Sequence, residues 1–490
     1  MACKVNRPAT DTIMTTPTFK HGCEFSMTIG GELINTAERL DVINPATGEV
    51  FASAPRAGQK ELDMAVAAGQ RAYGEWKLYP YNERRKLLAE CAKLITANVD
   101  ELSQLFTAEQ GRPLAMARDE VLGAALWLKG MGMHELPVEI TEDTDARRVE
   151  VHRVPLGVVC GIVPWNFPVL LAFWKISHAL LAGNTMVLKP SPFTPVTTLR
   201  IGELLNEVLP AGVLNIISGG DELGPMMTSH PGFAKISFTG STATGKRIMA
   251  SAATDLKRIT LELGGNDAAI VMPDVDVKAV AQQLFMGAFF NTAQICIATK
   301  RLYIHEDIYD EMRDRLHGLA KVLKVGNGFD EGVLFGPMQN KLQYDRVSAL
   351  MTDAREIGLT VLEGGPVPDT GYFLPLTLVD NPPDDSRVVT EEAFGPILPL
   401  LKFSTIDEVI ARANNSEYGL AGAVWSKDIE QAVAIAHRLE TGTVWINQNL
   451  QSSPTTPLAG HKQSGIGAEN GKDGLLEFTQ PKSIYIPKTQ

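Results

Sequence analysis

A chain of 490 residues, 44% of them hydrophobic, is too long for one ordinary core and carries ample apolar material for two or three domains. Its formal charge of -12 at pH 7 argues against a nucleic-acid or anionic-membrane surface, and no run of about 18 apolar residues is present to span a membrane. Five cysteines, Cys3, Cys23, Cys91, Cys160 and Cys296, are odd in number and scattered; lacking the spacing of a zinc site or a disulfide framework, they suit a reducing cytoplasm and imply no metal.

The first twenty residues hold Thr and Pro, few charges and no continuous apolar core, so they read as a loose extension rather than a secretory signal. Asn44-Pro45-Ala46-Thr47-Gly48 is turn chemistry. Helical periodicity predicts helices over 61–76 and 82–110, the second with Leu87, Leu88, Cys91, Leu94 and Ile95 on one stripe, so Cys91 packs. Gly111-Arg112-Pro113 stops that helix, and another is expected from 114 to about 133. Residues 147–154 and 482–486 alternate as strands with exposed charges, and ribbons of that kind need partners.

Short apolar runs follow at 157–163, 185–188, 213–217 and 235–238, with helices between them. Strands apolar on both faces predict a parallel, doubly wound sheet, which binds ligands beyond the carboxyl ends of its strands. Asn166, Lys189, Gly219-Gly220 and Ser241 each follow one of these runs, while Cys160 lies inside the first and belongs to the core. Gly240-Ser241-Thr242-Ala243-Thr244-Gly245 opens a helix after a strand and leaves backbone N–H groups free for a phosphate, although it is not GxGxxG. A second α/β rhythm runs through 267–272 and 301–305 to 442–446. It holds Cys296, with Glu262 at the join, so a cleft between the halves is expected.

Cys296 ends the run Phe289-Phe290-Asn291-Thr292-Ala293-Gln294-Ile295-Cys296. A thiol reacts as the thiolate and needs partial exposure and a setting that favours negative charge; without them it is a small core hydrophobe, the commoner fate of a lone cysteine. Three stretches change the odds by supplying an amide donor, a phosphate cradle and a carboxylate: Pro164-Trp165-Asn166-Phe167-Pro168, the 240–245 turn, and Leu261-Glu262-Leu263-Gly264-Gly265.

With Lys189 and Glu391-Glu392-Ala393-Phe394-Gly395-Pro396 these motifs stand in one order, and in that order the chain resembles the aldehyde dehydrogenase superfamily from about residue 44 to about residue 486. The resemblance implies an α/β fold: a doubly wound, Rossmann-like cofactor domain (20–145 and 157–265), an α/β catalytic domain (266–446) and a small β arm (146–156 and 475–490). In the family such an arm bridges subunits, implying a homodimer or homotetramer; an ordinary surface hairpin is the alternative. The implied cofactor is NAD, with Gly240, Ser241 and Gly245 at the pyrophosphate, Lys189 at the adenosine ribose, Glu392 at the nicotinamide ribose and Phe394 against the ring, and Trp165 and Ser191 are further cofactor-binding residues. Pro192 stands where the family's NAD pattern has a glutamate, so a 2′-phosphate is not repelled and NADP stays open.

For catalysis the resemblance implies Cys296 as nucleophile, Asn166 and the Cys296 N–H as donors to an alkoxide, and Glu262 as general base, its pKa raised by apolar neighbours. Members that pass the acyl group to coenzyme A lack that base, so a free acid is expected. Phe167, Leu171, Trp174, Phe290, Ile295 and Ile297 would line the entrance, favouring an apolar or aromatic aldehyde. No arginine lies between 447 and 458, which weakens a semialdehyde reading. Ala293 replaces a usual glycine and is expected to tighten the nucleophile's loop. A redox-independent thiol ester hydrolase and a catalytically silent binding protein are the competing functions.

Overall fold

The computed structural model describes residues 24–488; Cys3, Cys23 and the expected leading extension lie outside the described residues. Two parallel-rich sheets organise an α/β fold. The first has eight strands in the order Glu32–Ile34, Met27–Ile29, Leu214–Ile216, Thr185–Lys189, Val158–Ile162, Lys235–Thr239, Arg258–Glu262, Gly465–Ile466. Its five central strands are parallel, and antiparallel pairs close both edges. Those five are almost wholly buried, which is why they read as unbroken apolar runs. In chain order they lie third, second, first, fourth, fifth, so the winding reverses between Val158–Ile162 and Lys235–Thr239. A crevice opens at such a reversal.

The second sheet has seven strands in the order Thr360–Glu363, Thr377–Asp380, Ile397–Phe403, Arg301–His305, Ala268–Val271, Ala421–Trp425, Thr443–Ile446. All pair in parallel except the first, an antiparallel edge. Residues 447–474, unplaced by the sequence, return to the first body. Gly465–Ile466 pairs with Arg258–Glu262, and Leu458 joins the same core as Leu475 and Phe478.

Several helices depart from expectation. The stretch 82–110 is two helices, Tyr81–Ala97 and Val99–Gln110, because the Asn98 side chain donates to the Leu94 carbonyl and its backbone leaves helical values at φ -106, ψ 15. Gly111 ends the second at φ +94, with a would-be Cβ 2.7 Å from Pro337, so glycine is required there. The following helix stops at Met131 rather than 133. Cys91 and Cys160 are buried and unpaired.

Thr479–Pro487 pairs antiparallel with Arg147–Pro155 over nine positions, and Glu139–Asp143, which the sequence places in no element, adds a third strand. Ile140, Ile484, Tyr485 and Ile486 of this ribbon are exposed. Among the described residues no helix is long and apolar enough to cross a membrane.

Candidate active site

The Val158–Ile162 strand runs into Pro164-Trp165-Asn166-Phe167 and then the helix Pro168–Ala182, whose first residue is a proline with φ preset for a helix start. Asn166 is buried, and its side-chain amide donates to the Gln294 carbonyl at 2.9 Å. Its own carbonyl accepts from Arg112 at 2.5 Å and from Asn291 Nδ2 at 3.2 Å. Arg112 pairs with Glu120 at 2.5 Å and lies 4.2 Å over the Phe167 ring. Glu120 in turn accepts the Val169 and Leu170 N–H groups at 3.1 and 2.9 Å. The residues that the sequence read only as a helix stop thus brace Asn166.

Past the helix Val277–Phe289 the chain turns through Asn291, Thr292 and Ala293 at φ 53, 55 and 60, three left-handed residues without a glycine. Each costs on the order of 1–3 kcal/mol, which neighbours must offset. Here Thr292 Oγ1 donates to Gly336 O at 2.9 Å and Gln294 Nε2 to Asn291 O at 3.0 Å, while Gln294 Oε1 accepts the Gln339 N–H at 2.9 Å. Ala293 takes a left-handed conformation that favours glycine.

This turn delivers a partly exposed Cys296 into a cavity of about 480 Å³ shared with Asn166. Phe167, Leu171, Trp174, Phe290, Ile295 and Ile297 all line it, joined by Leu170, Met286 and residues 448–452. Gly287 leaves room for Asn449, since a Cβ there would sit 2.5 Å from the Asn449 amide carbon. No Arg, Lys or His lines the cavity among the described residues. Burial pushes the Cys296 thiol up to about 12; Lys300 pulls it down, and Asp267, Glu392 and Glu262 push it further up.

Glu262 is coupled electrostatically to Cys296 but does not line its cavity. It ends the strand Arg258–Glu262, buried, outside the walls of the cavity that holds Cys296 and Asn166. Its carboxyl feels the Glu469 and Lys175 charges, and its Oε1 has no hydrogen-bond partner among the described residues. Burial, then the Glu469 charge, raises its carboxyl well above the usual range. Lys175 bonds Glu469 and, at 2.8 Å, Thr239 Oγ1. Neither Lys175 nor Glu469 was picked out from the sequence, although a lysine inside the otherwise apolar helix PVLLAFWKISHALLA is a signal, because a buried ammonium must find a partner.

On the nucleotide side of the crevice, Ser241 caps the helix Thr242–Ala253, its Oγ accepting the Thr244 N–H at 3.3 Å. Gly240 and Gly245 serve close packing: a Cβ would lie 2.4 Å from the Phe238 ring and 2.5 Å from Leu263. Lys189 is buried at its strand end with, among the described residues, only the Pro190 carbonyl, at 3.3 Å, as partner; burial pushes it down to about 8, and Asp221 and Glu222 act the other way. Ser191 Oγ accepts the Phe193 N–H at 3.3 Å. Glu392 accepts the Gly265 N–H at 3.1 Å, and Phe394 meets Trp165 edge-on with centroids 5.4 Å apart. A helix start at the winding reversal, an underused buried lysine and a carboxylate next to the thiol's loop fit a dinucleotide laid across the crevice.

The model of the aldehyde dehydrogenase family matches residues 34–484. The aldehyde dehydrogenase LUC3 of a Fusarium species is 42% identical, covering 95% of this chain and 99% of its own length. The phenylacetaldehyde dehydrogenase of Pseudomonas fluorescens is 37% identical over 94% of this chain and 95% of its own. The NAD+ complex of the Bacillus cereus aldehyde dehydrogenase superposes with a TM-score of 0.93 at 34% identity, covering 95% of this chain and 97% of that one. A nucleotide-dependent oxidoreductase is the class that this fold and crevice define. The chain belongs to the aldehyde dehydrogenase family and is an NAD(P)-dependent aldehyde dehydrogenase.

Proposed function

We propose that this enzyme oxidises an apolar or aromatic aldehyde to its carboxylic acid with NAD+, through a thioester on Cys296. The observation that carries this reading is the shared cavity of Cys296 and Asn166, walled by aromatic and aliphatic side chains and without a cation to clamp a substrate carboxylate. The Cys296 sulfur bonds the carbonyl carbon, and the carbonyl oxygen becomes an alkoxide held by the Asn166 amide and the Cys296 N–H. A nicotinamide, when bound, would accept the hydride that leaves this carbon; Glu392, Phe394 and Trp165 would hold it, and Lys189, Ser191 and Ser241 would hold the rest of the dinucleotide. Glu262, its Oε1 tied to no partner among the described residues, turns toward the thioester and takes a proton from the attacking water, whose oxygen bonds the acyl carbon as the C–S bond breaks to free the acid and the Cys296 thiolate.

NAD is favoured because a structural neighbour is described as an NAD+ complex, and NADP stays accessible through Pro192. The exposed apolar ribbon serves as the bridge of a homodimer or homotetramer, and the enzyme works in the cytoplasm. The test is a panel of aromatic, aliphatic and carboxylated aldehydes offered with each cofactor, followed at the reduced-nicotinamide absorbance. Fastest turnover on aromatic and long aliphatic members supports the reading. Preference for the carboxylated ones, or acid formed without reduced cofactor, contradicts it.

A further inference from the structure

Lys300 has no part in the chemistry above, yet its ammonium group lies directly behind the nucleophile's loop. The side chain is almost wholly buried; Nζ donates to the Cys296 carbonyl at 2.5 Å and to the Ala298 carbonyl at 3.2 Å. It stands 3.8 Å from Glu392 Oε1, whose other contact is the Gly265 N–H. Gly265 presses against the same carbonyl: a Cβ there would sit 2.8 Å from Cys296 O and 2.8 Å from Asp267 Oδ1. The backbone N–H groups of Lys300 and Arg301 both donate to Asp267 O, at 2.9 and 3.0 Å, so the lysine's base is fixed. An ammonium, a carboxylate and the nucleophile's own peptide therefore form one continuous contact.

We propose that Lys300 is a positioning residue that fixes the Cys296 peptide and, through its charge, favours the thiolate, with Glu392 as the opposing charge that moderates it. The inference rests on Cys296 as nucleophile. A buried ammonium that bonds only carbonyl oxygens and sits beyond hydrogen-bond distance of its carboxylate keeps much of its field for its surroundings. The charged groups that reach the thiol are Lys300 on the favourable side and Asp267, Glu392 and Glu262 on the other. Fixing the carbonyl also fixes the peptide bond between residues 296 and 297 and so the backbone from which the sulfur projects.

The test is the alkylation of the full-length enzyme by iodoacetamide over a neutral-to-alkaline pH series, with Cys296 labelling read by peptide mass. The sulfur loses its proton to solvent, forms the S–C bond and expels iodide, so at each pH below the thiol's pKa the rate follows the thiolate fraction. Lys300→Gln should slow labelling about tenfold across the series, while Lys300→Arg labels at the wild-type rate. Glu392→Gln should speed it. An unchanged or faster rate in Lys300→Gln overturns the proposal. So does a slower one in Glu392→Gln, which decides the matter even if Lys300→Gln does not fold. Wild-type Cys296 that resists label at every pH sinks the nucleophile assignment instead, a separate failure.

Discussion

Truncating Asn166 to alanine removes one side-chain donor and little else. The backbone carbonyl of residue 166 keeps its bonds from Arg112 and Asn291, so the turn into the helix Pro168–Ala182 retains its brace. The Gln294 carbonyl loses the Asn166 amide but still accepts from Asn291 Nδ2 at 3.3 Å, so no buried acceptor is orphaned. The stability cost is then about 1 kcal/mol, that of one ordinary hydrogen bond. The cost to catalysis is larger, because a donor aimed at a developing alkoxide is worth about 3 kcal/mol, or two to three orders of magnitude in kcat. Steady-state reduced-nicotinamide kinetics at saturating aldehyde, run beside a thermal melt, separates the two. A kcat within about threefold of wild type in a folded Asn166→Ala variant refutes the alkoxide role. A fall in kcat that merely follows the loss of folded protein refutes it equally.

Cys296→Ala should abolish the pre-steady-state burst of reduced cofactor, whereas Glu262→Gln should keep the burst and stall turnover; equal loss of burst in both contradicts the division of roles. Arg112→Met leaves Glu120 as a buried carboxylate without its cation, so stability should drop by about 3–5 kcal/mol, and neutralising that carboxylate with a second change, Glu120→Gln, should recover part of it. Glu262 must be ionised to act and its carboxyl is raised by burial, so the hydrolytic step should slow as pH falls through that raised value. For stability the sign is opposite: the folded state holds the Glu262 proton to higher pH than the unfolded one, so this group stabilises at low pH and loses that contribution as pH rises toward its folded value. A Glu262→Gln melt series flatter than wild type between the ordinary carboxyl value and the raised one would bear this out. Pro192→Glu should strengthen discrimination against NADP, measured as the ratio of the two dissociation constants.

Backbone and motif positions were legible in the sequence for a physical reason. Strands buried on both faces must be apolar throughout, so 157–163, 185–188 and 235–238 announce themselves, and the residues just after them must lie at the sheet's ligand-binding end. The six apolar residues expected at the entrance do line one cavity with Cys296 and Asn166. Pairings across the fold were not legible. Glu469 meets Lys175 from 294 positions away, and Arg112 reaches the Asn166 carbonyl from 54 away, distances over which spacing carries no information. The break at Asn98 hid inside a continuous helical stripe, because a single side-chain-to-backbone bond decides it. Glu262 acts electrostatically on the thiol yet stands outside the walls of its cavity, and a rotamer is not written in a sequence.

The most direct measurement is the mass of the peptide containing Cys296 after Glu262→Gln enzyme is mixed with NAD+ and an aromatic aldehyde and quenched in acid. An acyl group on Cys296, appearing in step with one equivalent of reduced cofactor, is the expected result. Reduced cofactor and free acid accumulating with Cys296 unmodified, or an acyl group on another residue, would contradict the chemistry assigned to this thiol.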